Sequence, residues 1–179
     1  MRQICAKLLD HGMQRGGYAE CFAGTHSSYA KGFFLSEQLL YGSETILLVD
    51  DDELVLSFLT AGLKMLGYDV RPFNESTAAL VAFEQSPNDF DLVFTDIDMP
   101  FVDGFDLARV IKAQRADLPI VMCTGKYLMA DTDEMVRLGI HTCLKKPFGH
   151  RDMAKVVRDE LDRNSGEERS SSSDEQNIR

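Results

Sequence analysis

The chain has 179 residues, 44% of them hydrophobic, and a formal net charge of −10. That length suits one domain with extensions, and the acidic balance excludes nonspecific nucleic-acid binding, which needs a basic surface against phosphate. Four cysteines, at 5, 21, 123 and 143, lack CxxC spacing, and no apolar run reaches the length of a membrane span or signal-peptide core; the expectation is a cytoplasmic protein with reduced thiols and no membrane association.

Residues 1–44 hold six of the thirteen glycines and keep no sustained period of 2 or 3.6. They read as a poorly ordered extension carrying two short apolar patches, Ile4/Leu8/Leu9 and Phe33/Phe34/Leu35. From Thr45 the pattern turns regular. Ile46–Val49 is a buried strand ending in Asp50-Asp51-Asp52-Glu53, and Leu54, Val55, Phe58, Leu59, Leu63 and Leu66 recur at helical spacing up to Gly67. Tyr68–Val70 is a short strand, and Asn74 caps a second helix to about Gln85. Leu92–Thr95 is the third strand, closed by Asp96 and the helix breaker Met99-Pro100; a third helix spans about Gly104–Gln114. Ile120–Cys123, a helix near Asp131–Leu138, a strand near His141–Leu144 and a last helix from about Phe148 to Arg163 complete the series.

Five short apolar strands alternating with five amphipathic helices predict a (βα)5 domain over 45–163, a parallel sheet with helices on both faces. Residues 164–179 are polar and Ser-rich, and are expected to be a disordered tail.

In a parallel sheet the carboxyl ends of the strands share one edge, where open α/β folds place their chemistry. Here those ends carry Asp50-Asp51, Asp96, Thr124 and Lys145-Lys146-Pro147. Crowded carboxylates repel, and a hard divalent cation such as Mg2+ resolves this; a lysine and a hydroxyl beside it suit a phosphoryl group. Taken singly, Asp50–Asp52 reads as a helix cap, Thr124 as a turn cap and Lys146 as solvated. Together they point to one site.

The segments ILLVDDDE, DLVFTDIDMPFVDGFDLA, PIVMCTG and CLKKPF resemble the four signature segments of the receiver domain of bacterial two-component response regulators, over about Glu44–Arg163. The resemblance implies a flavodoxin-like three-layer sandwich with strand order 2-1-3-4-5, and phosphoryl transfer from a histidine kinase or histidine phosphotransfer protein onto aspartate. By position, Asp96 is the phosphoacceptor and Asp50 and Asp51 organise Mg2+ with the backbone carbonyl of Asp98. Thr124 bonds the phosphoryl group, Lys146 pairs with it, and Lys146-Pro147 is a candidate cis bond. Asp98 and Lys126, two residues beyond Asp96 and Thr124, flank the path of attacking water and are expected to tune the lifetime of the phosphorylated state. The family's usual aromatic switch residue is replaced by Cys143.

The expected role is therefore a stand-alone receiver that switches contacts with an unidentified downstream protein, a signalling phosphoacceptor rather than an enzyme, with a homodimer left open. The rivals are a scaffold or dimerisation module keeping only the fold, and a Mg2+-dependent phosphatase with an aspartyl intermediate in which Asp98 is the second acid.

Overall fold

A computed structural model describes residues 40–125 and 132–171; the expectations for residues 1–39, for Lys126 and for 172–179 lie outside the described residues. The elements in chain order are β1 (Thr45–Val49), α1 (Glu53–Met65), β2 (Asp69–Phe73), α2 (Ser76–Gln85), a short 3-10 turn (Pro87–Asp89), β3 (Leu92–Asp96), α3 (Gly104–Gln114), β4 (Ile120–Thr124), α4 (Thr132–Arg137), β5 (Thr142–Lys145) and α5 (His150–Ser171). The five strands pair in parallel, as the alternation predicts, in the order β2-β1-β3-β4-β5 that the resemblance implies.

Period-two alternation divides the strand side chains between two layers. Leu47, Val49, Val93, Ile120 and Met122 face α2, α3 and α4 through Ala79, Phe83, Leu107, Ile111 and Met135. Ile46, Leu48, Leu92, Phe94, Val121 and Cys123 face α1 and α5 through Leu59, Leu63, Met153, Val157 and Leu161. Each fully buried Leu, Ile or Phe contributes about 1.5–3 kcal/mol, so the two layers fix the strand register firmly. Pro72 lies in β2, an edge strand, where the missing N–H costs no ladder bond to a further neighbour.

Several boundaries differ from the sequence reading. Helix α2 is capped at Glu75 rather than Asn74, and without a side-chain hydrogen bond. Its first residue is anchored instead by tertiary structure, Ser76 Oγ donating to the Val102 carbonyl at 2.7 Å. Strand β2 begins at Asp69 and continues through Pro72, because pairing with β1 carries the extended backbone beyond the apolar residues. Helix α5 runs to Ser171 rather than Arg163. The stretch from Asn164 holds no proline to stop it, and Ser165 Oγ bonds back to the Leu161 carbonyl at 2.9 Å.

Residues 40–44 are fastened to the domain. Gly42 N–H donates to the Leu66 carbonyl at 3.1 Å, Asp69 N–H to the Glu44 carbonyl at 3.0 Å, and Tyr68 OH to the Leu40 carbonyl at 3.2 Å. The Glu44 carboxylate pairs with Arg158 of α5 at 2.8 Å. Burial pushes the Glu44 carboxyl up, but the Arg158 and backbone hydrogen bonds outweigh it and hold it below the usual range.

Candidate functional site

The site is built by strand parity. Asp50 continues the Ile46/Leu48 series and Asp96 the Leu92/Phe94 series, so both carboxylates emerge on the α1/α5 side of the carboxyl edge. Lys146 reaches the same place from just beyond β5. Its Nζ lies 2.6 Å from Asp50 Oδ2 and 2.7 Å from Asp96 Oδ1, while Asp50 and Asp96 are 1% and 4% exposed.

The remaining carboxylate oxygens are held by backbone. Asp52 N–H donates to Asp50 Oδ1 at 3.0 Å, and Asp98 N–H to Asp96 Oδ2 at 2.9 Å. Burial alone would pull Lys146 down, but its bonds to Asp50 and Asp96 prevail and hold the ammonium above the ordinary lysine range. Burial lifts the Asp50 carboxyl more than the Lys146 bond lowers it. The result is two crowded acids sharing one fixed cation, an arrangement that favours additional positive charge.

The resemblance set Asp50 and Asp51 apart as an acid pair, and the structure gives Asp50, Asp51 and Asp52 each a separate place. Asp50 is buried in the site. Asp52 caps α1, its carboxylate accepting from the N–H groups of Leu54 and Val55. Asp51 is exposed and stands outside the tight group; it lines a groove of about 430 Å³ with Glu75, Ser76, Met99 and Phe101.

Thr124 ends β4 with opposite parity to Cys123, and its Oγ1 donates to Asp98 Oδ2 at 3.1 Å. The Thr124 carbonyl accepts the Lys146 N–H at 2.8 Å, and Lys146-Pro147 is cis, as the resemblance implied. Helix α3 is brought close by Gly104, whose N–H bonds the Ile97 carbonyl at 3.0 Å and whose missing side chain would sit 2.4 Å from the Asp96 carbonyl oxygen. Only glycine allows that approach.

Two cysteines separate here. Cys143 is half-buried and faces the α2/α3/α4 layer opposite Met122. Cys123, which sequence reasoning passed over, is paired in register with Asp96, and its Sγ lies 3.6 Å from Asp96 Oδ1. Asp50, Asp96 and Cys123 offer donor atoms within 4.8 Å of one another. Burial pushes both thiols up, so Cys123 stays protonated and the usable donors are carboxylate oxygens. Such hard donors fit Mg2+.

A family model described as the response regulator receiver domain matches residues 46–158. The chain belongs to the response regulator receiver domain family. Response regulator SaeR of Staphylococcus aureus (strain USA300) is 30% identical over 118 residues, covering 66% of this chain and 50% of SaeR. The chain thus spans half the length of the curated relatives it matches. A receiver domain protein from Clostridium thermocellum superposes with TM-score 0.62 at 27% identity, covering 68% of this chain and 97% of that one. A CheY-like receiver from Methanospirillum hungatei JF-1 gives 0.64 at 26%, covering 70% and 99%. Among the described residues of this receiver, no helix is long and apolar enough to cross a membrane.

Proposed function

We propose that this receiver accepts a phosphoryl group on Asp96 from a histidine kinase or histidine phosphotransfer protein, and that the modified site changes its contacts with a downstream protein. The observation carrying this reading is Lys146 Nζ held between the buried Asp50 and Asp96 carboxylates, beside a hydroxyl at Thr124. A carboxylate oxygen of Asp96 attacks phosphorus, the donor's P–N bond breaks with its electron pair returning to the imidazole, and an acyl phosphate forms. Lys146 balances the added charge, and the Asp98 N–H keeps Asp96 oriented for attack. Asp50, Asp51, Asp96 and the Asp98 carbonyl would hold Mg2+, which when bound neutralises charge on the transferring oxygens. Thr124 then exchanges the Asp98 carboxylate for a phosphoryl oxygen, which moves the end of β4. The chain's only reactions on this reading are its own phosphorylation and dephosphorylation.

Acetyl phosphate or phosphoramidate with Mg2+ should add one phosphoryl group by intact mass, and Asp96→Asn should abolish it. Full labelling of that variant overturns the assignment. Absence of labelling in the wild type under conditions that label another receiver returns the chain to the fold-only scaffold reading.

A further inference from the structure

Phe101 is 99% exposed, the most exposed of the large apolar side chains among the described residues. It also has φ 67°, the left-handed region that bulky side chains avoid. The φ belongs to a three-residue turn closed by Val102 N–H on the Pro100 carbonyl, and core packing does not account for the exposure. The loop is nevertheless well fixed: Met99 N–H bonds the Ile97 carbonyl at 3.1 Å, Val102 N–H the Pro100 carbonyl at 2.9 Å, and Ser76 Oγ the Val102 carbonyl at 2.7 Å. A strained, immobilised backbone therefore presents one aromatic ring to solvent, five positions after Asp96. Little ordering remains to oppose its burial by a partner.

Its surroundings narrow the partner. Phe101 edges the groove of about 430 Å³ that Asp51, Glu75 and Met99 also line. Asp52, Glu53 and Glu75 are all exposed on the loops and first helical turns at this carboxyl edge. Lys146, the site's own cation, is engaged by Asp50 and Asp96. An aromatic anchor within an acidic rim is the complement of an apolar socket bordered by Lys or Arg.

The geometry points to Phe101 as the docking anchor for the protein that delivers the phosphoryl group, a phosphohistidine-bearing surface with an apolar socket and a basic border. This rests on Asp96 being the phosphoacceptor. A small donor such as acetyl phosphate has no surface to dock, so it reads the acceptor chemistry independently of Phe101.

The test compares wild type, Phe101→Ala, Phe101→Asn, Phe101→Tyr and Glu75→Lys with two donors, each with Mg2+. One is acetyl phosphate; the other is a purified, radiolabelled histidine kinase core that transfers to the wild-type chain. With the kinase core, Phe101→Ala should lower transfer at limiting receiver concentration about tenfold, chiefly by raising the apparent KM. Acetyl phosphate labelling should stay within about twofold of wild type. Phe101→Asn, which tolerates the left-handed backbone, should show the same transfer defect with a higher melting temperature, separating docking from folding. Phe101→Tyr should retain transfer, and Glu75→Lys should slow it while flattening its salt dependence. Kinase transfer to Phe101→Ala and Phe101→Asn at the wild-type rate overturns the docking role and leaves Asp96 as acceptor. Failure of acetyl phosphate to label even the wild type removes the phosphoacceptor reading and this proposal with it.

Discussion

The Thr124 hydroxyl donates to the Asp98 carboxylate at 3.1 Å, tying the end of β4 to the loop that follows β3. On the proposed function a phosphoryl group on Asp96 would compete for that hydroxyl, and the bond would then set a threshold for the movement of Thr124. A hydrogen bond to a charged acceptor contributes about 1.5–3 kcal/mol when buried, and less at a half-buried site such as this.

Asp98→Ala removes the competing acceptor. Thr124 should then engage a phosphoryl mimic more readily, giving half-maximal response at a lower beryllofluoride concentration. The lifetime of the phosphorylated state should change by more than twofold, a barrier change above about 0.4 kcal/mol. Dephosphorylation followed after removal of acetyl phosphate decides it, and an unchanged rate and midpoint would show that Asp98 is only a solvated neighbour.

Lys146→Met strips the buried Asp50 and Asp96 of their shared counter-ion, leaving two like charges. In the folded variant the Asp50 carboxyl, which burial already lifts, loses the opposing Lys146 bond and rises further above its unfolded value. The native state then binds more protons across that interval, and stability falls as pH rises through it. In metal-free buffer the variant should approach wild-type stability at acid pH and lose roughly 2–3 kcal/mol by pH 8. Adding Asp50→Asn should restore much of the loss. Parallel stability profiles for wild type and Lys146→Met would contradict the charge balance described here.

Gly104→Ala places a methyl 2.4 Å from the Asp96 carbonyl oxygen and 2.9 Å from Ile97 Cα, both backbone atoms with little freedom to yield. The expected cost is about 2–4 kcal/mol in urea unfolding, with slower acetyl phosphate labelling because the end of β3 is displaced. Wild-type stability and labelling in Gly104→Ala would mean that α3 moves away without affecting the site.

Cys143 is too small to move as an aromatic ring does between buried and exposed positions. Thr124→Ala should therefore uncouple beryllofluoride binding from changes in amide exchange at α4 and β5, and Cys143→Tyr should shift the balance between the two states. An unaltered exchange response in Thr124→Ala would place the exit route elsewhere.

The carboxyl-edge constellation was legible because strand runs such as Leu92–Phe94 are continuously apolar and end abruptly in acid, hydroxyl or lysine. The Lys146 contacts follow from strand parity once the sheet order is known. Cys123 escaped notice because its approach to Asp96 depends on the β3–β4 register, which no local pattern encodes. Asn74 is the better N-cap by residue type, but the helix starts after Glu75, where Ser76 is held by the Val102 carbonyl, a contact no local pattern encodes. The left-handed backbone at Phe101 had no glycine or asparagine to signal it.

The fastening of residues 40–44 has a mechanical consequence. Glu44 stands one residue before β1, and Asp50 lies just past the strand's far end, about 20 Å away for six extended residue steps. A pull transmitted from the chain upstream of Leu40 meets the Gly42–Leu66 bond and the Glu44–Arg158 pair before it reaches β1. The load passes into α5 and the corner between α1 and β2. These contacts serve as strain relief on a cable, leaving the acidic end of β1 undisturbed by tension upstream.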